Sequence, residues 1–245
     1  MNPRTAIFIC IFGISTILAG PGLAQDISIS LGNDTALTAK TLQLIALITV
    51  LSLAPGLAIM ITCFPFIVTV LAILRQGIGL QQSPPNMLIV SLALFLTYFV
   101  MEPVFMTAWA EGIDPLLNEA ISPDEAIERT LAPFRVFMSA RMDPDTFASM
   151  AALRPDTATV VAGPDAPLSV MIPSFLLSEI SRAFQIGFLV FLPFLIIDLV
   201  VAAILMSMGM MMVPPAIVSL PFKLAFFVIA DGWRLIADSL VRSYF

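Results

Sequence analysis

The chain has 245 residues, of which 59% are hydrophobic and 11% charged, with a formal net charge of −6. Soluble domains carry about 25% charged residues, so this composition fits an integral membrane protein or a subunit buried in a membrane assembly. Histidine is absent, which excludes histidine-based catalysis, metal ligation and pH switching. The two cysteines, Cys10 and Cys63, can build neither a disulfide framework nor a zinc site.

The first 24 residues read as a secretory signal. Arg4 supplies the positive end, Ala6 to Leu18 the apolar stretch, and Gly22-Leu23-Ala24 a small-x-small cleavage site before Gln25. Residues 25–41 then form a short periplasmic segment. A first apolar hairpin is expected over residues 42–109. Its opening stretch, Leu42 to Leu74, carries no charge. As one helix it would reach about 50 Å, against a hydrocarbon core near 30 Å. Pro55 and Pro65 are expected to break it. Pro84-Pro85 marks the hairpin tip, and Met87 to Met101 returns from it.

An acidic insert follows over residues 110–174. It holds ten acids and four arginines (Arg129, Arg135, Arg141, Arg154), so the whole net charge resides there. Ser122-Pro123-Asp124-Glu125 has the form of a helix start: a serine cap, proline at the first helical position, and acids in the first turn. Pro155 to Pro167 reads as loop. Phe134, Phe137 and Phe147 are aromatic residues in polar surroundings, expected to pack on the insert's own helices or on an adjacent copy.

The second apolar hairpin is expected over residues 175–245. Its arms meet at Met206-Ser207-Met208-Gly209-Met210-Met211-Met212-Val213-Pro214-Pro215, which contains five of the 14 methionines. Methionine is flexible and repacks around objects of different shape. Gly209 loosens the backbone and Pro214-Pro215 stops a helix. The tip therefore suits a soft closure that must pass bulky cargo, or, more simply, a core-filling or lipid-facing loop. Ionisable residues in apolar segments are costly and point to function or pairing. They are Glu102, Glu179, Arg182, Asp198, Lys223 and Asp231. Asp198 and Lys223 sit on opposite arms of the second hairpin, where folding can bring them together.

The two hairpins share short matches. Phe64-Pro65-Phe66 pairs with Leu192-Pro193-Phe194, Pro84-Pro85 with Pro214-Pro215, and Ile89-Val90-Ser91-Leu92 with Ile217-Val218-Ser219-Leu220. These matches suggest an internal repeat whose units point the same way.

Several motifs in order resemble the FliP family of type III secretion export-gate proteins: Ala183-Phe184-Gln185-Ile186-Gly187-Phe188, Pro193 through Val200, Met208 through Pro215, Leu220-Pro221-Phe222-Lys223-Leu224 and Asp231-Gly232-Trp233. Pro84-Pro85-Asn86, Leu92 through Thr97, and Pro133 through Met138 match as well. The resemblance covers residues 42–245 and implies an all-α export-gate subunit of two helical hairpins with a small helical periplasmic insert. It implies no enzyme activity, no cofactor and no metal. The implied partners are further copies of the chain, FliQ, FliR, FlhB and FlhA, the unfolded rod, hook and filament proteins that are exported, and membrane lipid, but no nucleic acid. The implied place is the bacterial inner membrane at the flagellar basal body. The family's methionine constriction maps onto Met210, Met211 and Met212. Two departures stand out: Phe66 occupies a position where the family usually has a basic residue, and Arg182 lies one position from the family's usual basic residue after Glu179. An injectisome homologue is the nearest alternative, followed by a secondary transporter or ion channel using Asp198 and Lys223.

Overall fold

The computed structural model describes residues 34–80, 84–210 and 212–245. The expected signal sequence, Cys10 and Met211 lie outside the described residues. The chain divides into two units, residues 1–52 and 53–245. In the first, residues 40–49 belong to helix α1 (Asp34–Met60) and are all exposed.

The second unit is helical throughout its regular elements: α2 (Phe64–Ile78), α3 (Asn86–Ala108), a π-helical turn (Trp109–Ile113), α4 (Asp114–Leu117), α5 (Pro123–Arg141), α6 (Pro144–Ala152), α7 (Leu168–Ser207), α8 (Pro215–Ile229) and α9 (Gly232–Arg242). The overlong first apolar stretch does break, at residues 61–63, immediately before Pro65 takes one of the first two helical positions of α2. Proline fits there because the amide it lacks would be unpaired anyway. The expected break at Pro55 does not occur, and α1 is continuous through it. Proline likewise lies inside α3, α5, α7 and α8. A bent helix that keeps most of its backbone bonds is favoured in apolar surroundings over an open break.

Among the described residues, three helical stretches are long and apolar enough to cross a membrane, Lys40–Met60, Asn86–Leu117 and Leu168–Ser207; the bent pair α8 and α9 makes a fourth if counted as one span. At 40 residues, α7 measures about 60 Å, twice a hydrocarbon core. Its first third is covered by the insert instead.

The main core is built around α2. Phe66, Ile67, Val70, Leu71 and Leu74 are fully buried, and Ala93, Met101, Ala183, Phe194 and Phe227 from α3, α7 and α8 close over them. A helix of only 15 residues is therefore the central one, and the long helices turn their outer faces outward. Phe95, Phe99, Phe188, Ile196, Leu199 and Ile217 are all exposed, a greater display of apolar surface than a soluble monomer carries.

Small residues let α2 and α7 approach. A Cβ on Gly187 would lie 2.4 Å from Ile73, and one on Gly77 3.0 Å from both Phe191 and Phe194. Residue numbers rise together along the two helices, so they run parallel, as two units pointing the same way require. The matched prolines differ, however: Pro65 opens α2, whereas Pro193 lies within α7. Beyond Phe194, α7 runs on to Ser207 for about 20 Å of helix, while α2 ends one residue after Gly77.

The insert has its own small core of Met138, Phe147, Ala151, Val170, Met171 and Phe175. The serine cap forms as expected, Ser122 Oγ accepting the Glu125 amide at 3.3 Å. Asp143 caps α6 by accepting the Thr146 amide and hydroxyl, at 2.9 and 2.7 Å. Those bonds, the hydroxyl's first, hold its carboxyl below the usual range. The expected limits of the insert are not chain breaks. The 109/110 limit lies inside the π-turn that continues α3, and 174/175 lies inside α7, which starts at Leu168.

Candidate functional site

Three constellations bear on function: the methionine tip, an ion pair behind it, and a buried acid beneath the insert. At the tip, α7 ends with the Met208 amide donating to the Ile204 carbonyl at 3.1 Å. Gly209 follows at φ +74°, a left-handed geometry that glycine adopts without steric cost. Met210 then turns back, its amide donating to the Leu205 carbonyl at 3.0 Å. Pro214 caps α8 and Pro215 is its first residue. The result is a backbone-bonded tip on which Met210 is 43% exposed and Met212 98%. Met210 and Met208 also line a wholly apolar groove of about 510 Å³ between α7 and α8, with Ile204, Leu205 and Val218.

At the first tip, the Pro85 carbonyl accepts the Leu88 amide at 3.0 Å and so starts α3. Arg75 from the last turn of α2 donates to the Pro84 carbonyl at 3.4 Å and to Asn86 Oδ1.

Asp198 on α7 and Lys223 on α8 meet, with Lys223 Nζ 2.6 Å from Asp198 Oδ2. Lys223 is buried and donates again, to the Gly77 carbonyl at 3.1 Å. That carbonyl belongs to the last turn of α2, where the helix dipole favours a cation. Ser219 Oγ donates to the other oxygen of Asp198 at 2.6 Å. Three helices are thus joined through one ammonium group.

Glu179 on α7 is completely buried, 0% exposed. Its nearer cation is Arg141, the last residue of α5, with Nε 3.2 Å from Oε1. Arg182 stands 4.0 Å away and is more exposed. Tyr244 donates its hydroxyl to Glu179 Oε2. The Arg141 guanidinium lies over the Tyr244 ring, 4.0 Å from its centroid, and donates to the Ser243 carbonyl at 2.7 Å. Burial, reinforced by the Glu179 carboxylate, pushes the Tyr244 phenol far above its usual range, so it remains a donor. Phe66 closes the cluster edge-on against Tyr244, 5.6 Å between centroids. The position where the family usually carries a basic residue therefore supports this site with a ring, and the cation comes from the insert. Arg141 and Tyr244 were not among the residues singled out from sequence. Arg141 lies among other insert charges, and Tyr244 carries no motif.

The insert aromatics face inward. Phe134 packs on Phe105 of α3, and Phe137 packs on Phe175 and Tyr244. Phe147 is buried in the insert's core. Two of the three thus contact the helical body, and Phe147 presents no outer surface in the single chain. The exposed large apolar residues of the insert are Leu116, Leu117, Ile127, Val136, Leu153 and Val161. Glu102 is exposed on α3. Asp231 sits at φ +49° in the 61° bend between α8 and α9, where its carboxylate meets Arg234 at 2.6 Å. Among the described residues, no group of three or more metal-ligating side chains is placed to hold a metal.

Comparison with known proteins agrees with this geometry. The FliP family profile matches residues 47–240. A flagellar biosynthetic protein FliP from Caulobacter vibrioides is 50% identical, covering 98% of this chain and 91% of its own length. The proteins of that name from Bacillus subtilis and Aquifex aeolicus are each 45% identical, covering 90% and 83% of this chain and 99% and 86% of their own lengths. The motifs, the all-helical architecture and these matches agree that the chain belongs to the FliP family of flagellar biosynthetic proteins.

Proposed function

We propose that the chain is a non-enzymatic core subunit of the flagellar protein-export gate. Several copies assemble with FliQ and FliR, next to FlhB and FlhA, in the inner membrane at the flagellar basal body, with the insert on the periplasmic side. Unfolded rod, hook and filament proteins pass through the centre, where Met210, Met211 and Met212 of successive copies form the constriction.

The observation that carries this reading is the tip. Methionine in a core filler would be covered, yet Met212 is almost wholly exposed on a turn fixed by Gly209 and two prolines. A fixed turn holding mobile thioethers gives a seal that yields to varied side chains. The flagellar names of the relatives favour this reading over an injectisome homologue. A transporter using Asp198 and Lys223 is favoured less, because the ammonium is already shared between Asp198 and the Gly77 carbonyl.

Purification in mild detergent tests the proposal. The gate reading expects a large oligomer that retains two small membrane proteins. A monomer or dimer stabilised by a small solute would overturn it.

A further inference from the structure

A second groove, of about 770 Å³, runs beside α2 on the side away from the chain's core. It extends from Val68 to Leu80, about 18 Å at helical rise. Val68, Ala72, Ile73 and Phe184 give it an apolar floor interrupted by Thr69, and Arg75 and Gln76 supply its remaining polar side chains. Arg75 differs from most arginines of the chain. Arg129, Arg141, Arg154, Arg182, Arg234 and Arg242 each have a carboxylate within 4.0 Å. Among the described residues Arg75 has none. One of its terminal nitrogens is engaged by Pro84 and Asn86, which fixes the guanidinium at the rim and, among the described residues, leaves its remaining N–H groups available.

We propose that this groove is a binding site for one anionic phospholipid. The fixed guanidinium and the Gln76 amide donate to the phosphate, and one acyl chain lies along the apolar floor toward Val68. A planar guanidinium suits phosphate oxygens better than a point charge does. The headgroup must be net negative, because a zwitterionic lipid would bring an ammonium into a site with a cation and no carboxylate to receive it. The groove opens among exposed apolar residues, Phe184 and Phe188 on α7 among them, so an acyl chain enters it from surroundings of the same character. The site belongs to the single chain in a bilayer and does not depend on assembly of a gate.

Native mass spectrometry of the full chain in detergent tests this, with phosphatidylglycerol and phosphatidylcholine of matched acyl chains, and inorganic phosphate as a third probe. One phosphatidylglycerol should be retained about tenfold more than phosphatidylcholine, the size expected for one charge-assisted hydrogen bond, and phosphate alone should not be retained. Arg75→Gln should remove the preference. Ala72→Trp should remove retention itself by filling the floor; Ala72 is exposed, so the larger ring leaves the core intact. Equal retention of both lipids overturns the proposal. So does retention unchanged in Ala72→Trp, retention of free phosphate, or a second copy of the chain that displaces lipid from the groove.

Discussion

The two buried ion sites differ in a way that explains what each does. Behind the methionine tip, Lys223 is buried while Asp198 keeps 34% of its side chain exposed. Beneath the insert the acid is the buried partner, and Glu179 is held by a guanidinium and a phenol that Phe66 packs against. The first site joins α2, α7 and α8, the helices that carry the tips. The second joins α5, α7 and the segment after α9, and so fastens the insert to the helical body. A half-open pair leaves its exposed partner free to exchange for another group, whereas a closed one is built into the single chain.

The largest expected effect comes from Glu179→Gln. It strands the Arg141 charge in a closed site, which costs about 3–5 kcal/mol. Unfolding of the detergent-solubilised chain should show it, with protease sensitivity of the insert rising first. Lys223→Met should cost less, about 2–3 kcal/mol, because Asp198 is partly solvated and retains Ser219. If the two losses are equal, the open and closed sites are not distinct. Tyr244→Phe keeps the ring over Arg141 and removes only the hydroxyl donated to Glu179, for about 1.5 kcal/mol or somewhat more. A cycle with Glu179→Gln should show strong coupling; additive losses would place the phenol outside the cluster.

The smallest effect is at Cys63, beside the same core. Burial pushes its thiol up to about 12 from an ordinary 9.0. A raised thiol pKa stabilises the fold fully below pH 9.0, and that contribution fades as pH climbs from there toward about 12. Maleimide labelling at pH 8 should accordingly be slow in the folded chain and fast once it is unfolded.

Much of this was legible in the sequence because the relevant physics is local. The Ser122 cap, the Gly209 and Pro-Pro tip, and two opposite charges in otherwise apolar arms can each be read from a few neighbouring residues. The course of α7 could not: the second hairpin is expected only from residue 175, whereas the helix starts at Leu168 and runs unbroken through Pro173 and Pro193. The Glu179 site was half legible. A lone acid in an apolar segment announces a partner, but nothing marks Arg141, 38 residues earlier in the chain, as that partner. The inward turn of Phe134 and Phe137 was hidden for the same reason, because their partners Phe105 and Tyr244 lie on elements far away in sequence.

The export-gate proposal stands or falls on the methionine tip. Conductance across bilayers containing the assembled complex tests it most directly, comparing the native chain with a Met210→Ala, Met211→Ala, Met212→Ala triple variant. A closed native complex and a variant that assembles normally but leaks ions when export is idle is the predicted result. A variant that stays tight and secretes normally would contradict it, leaving the methionines as filler and placing the constriction elsewhere.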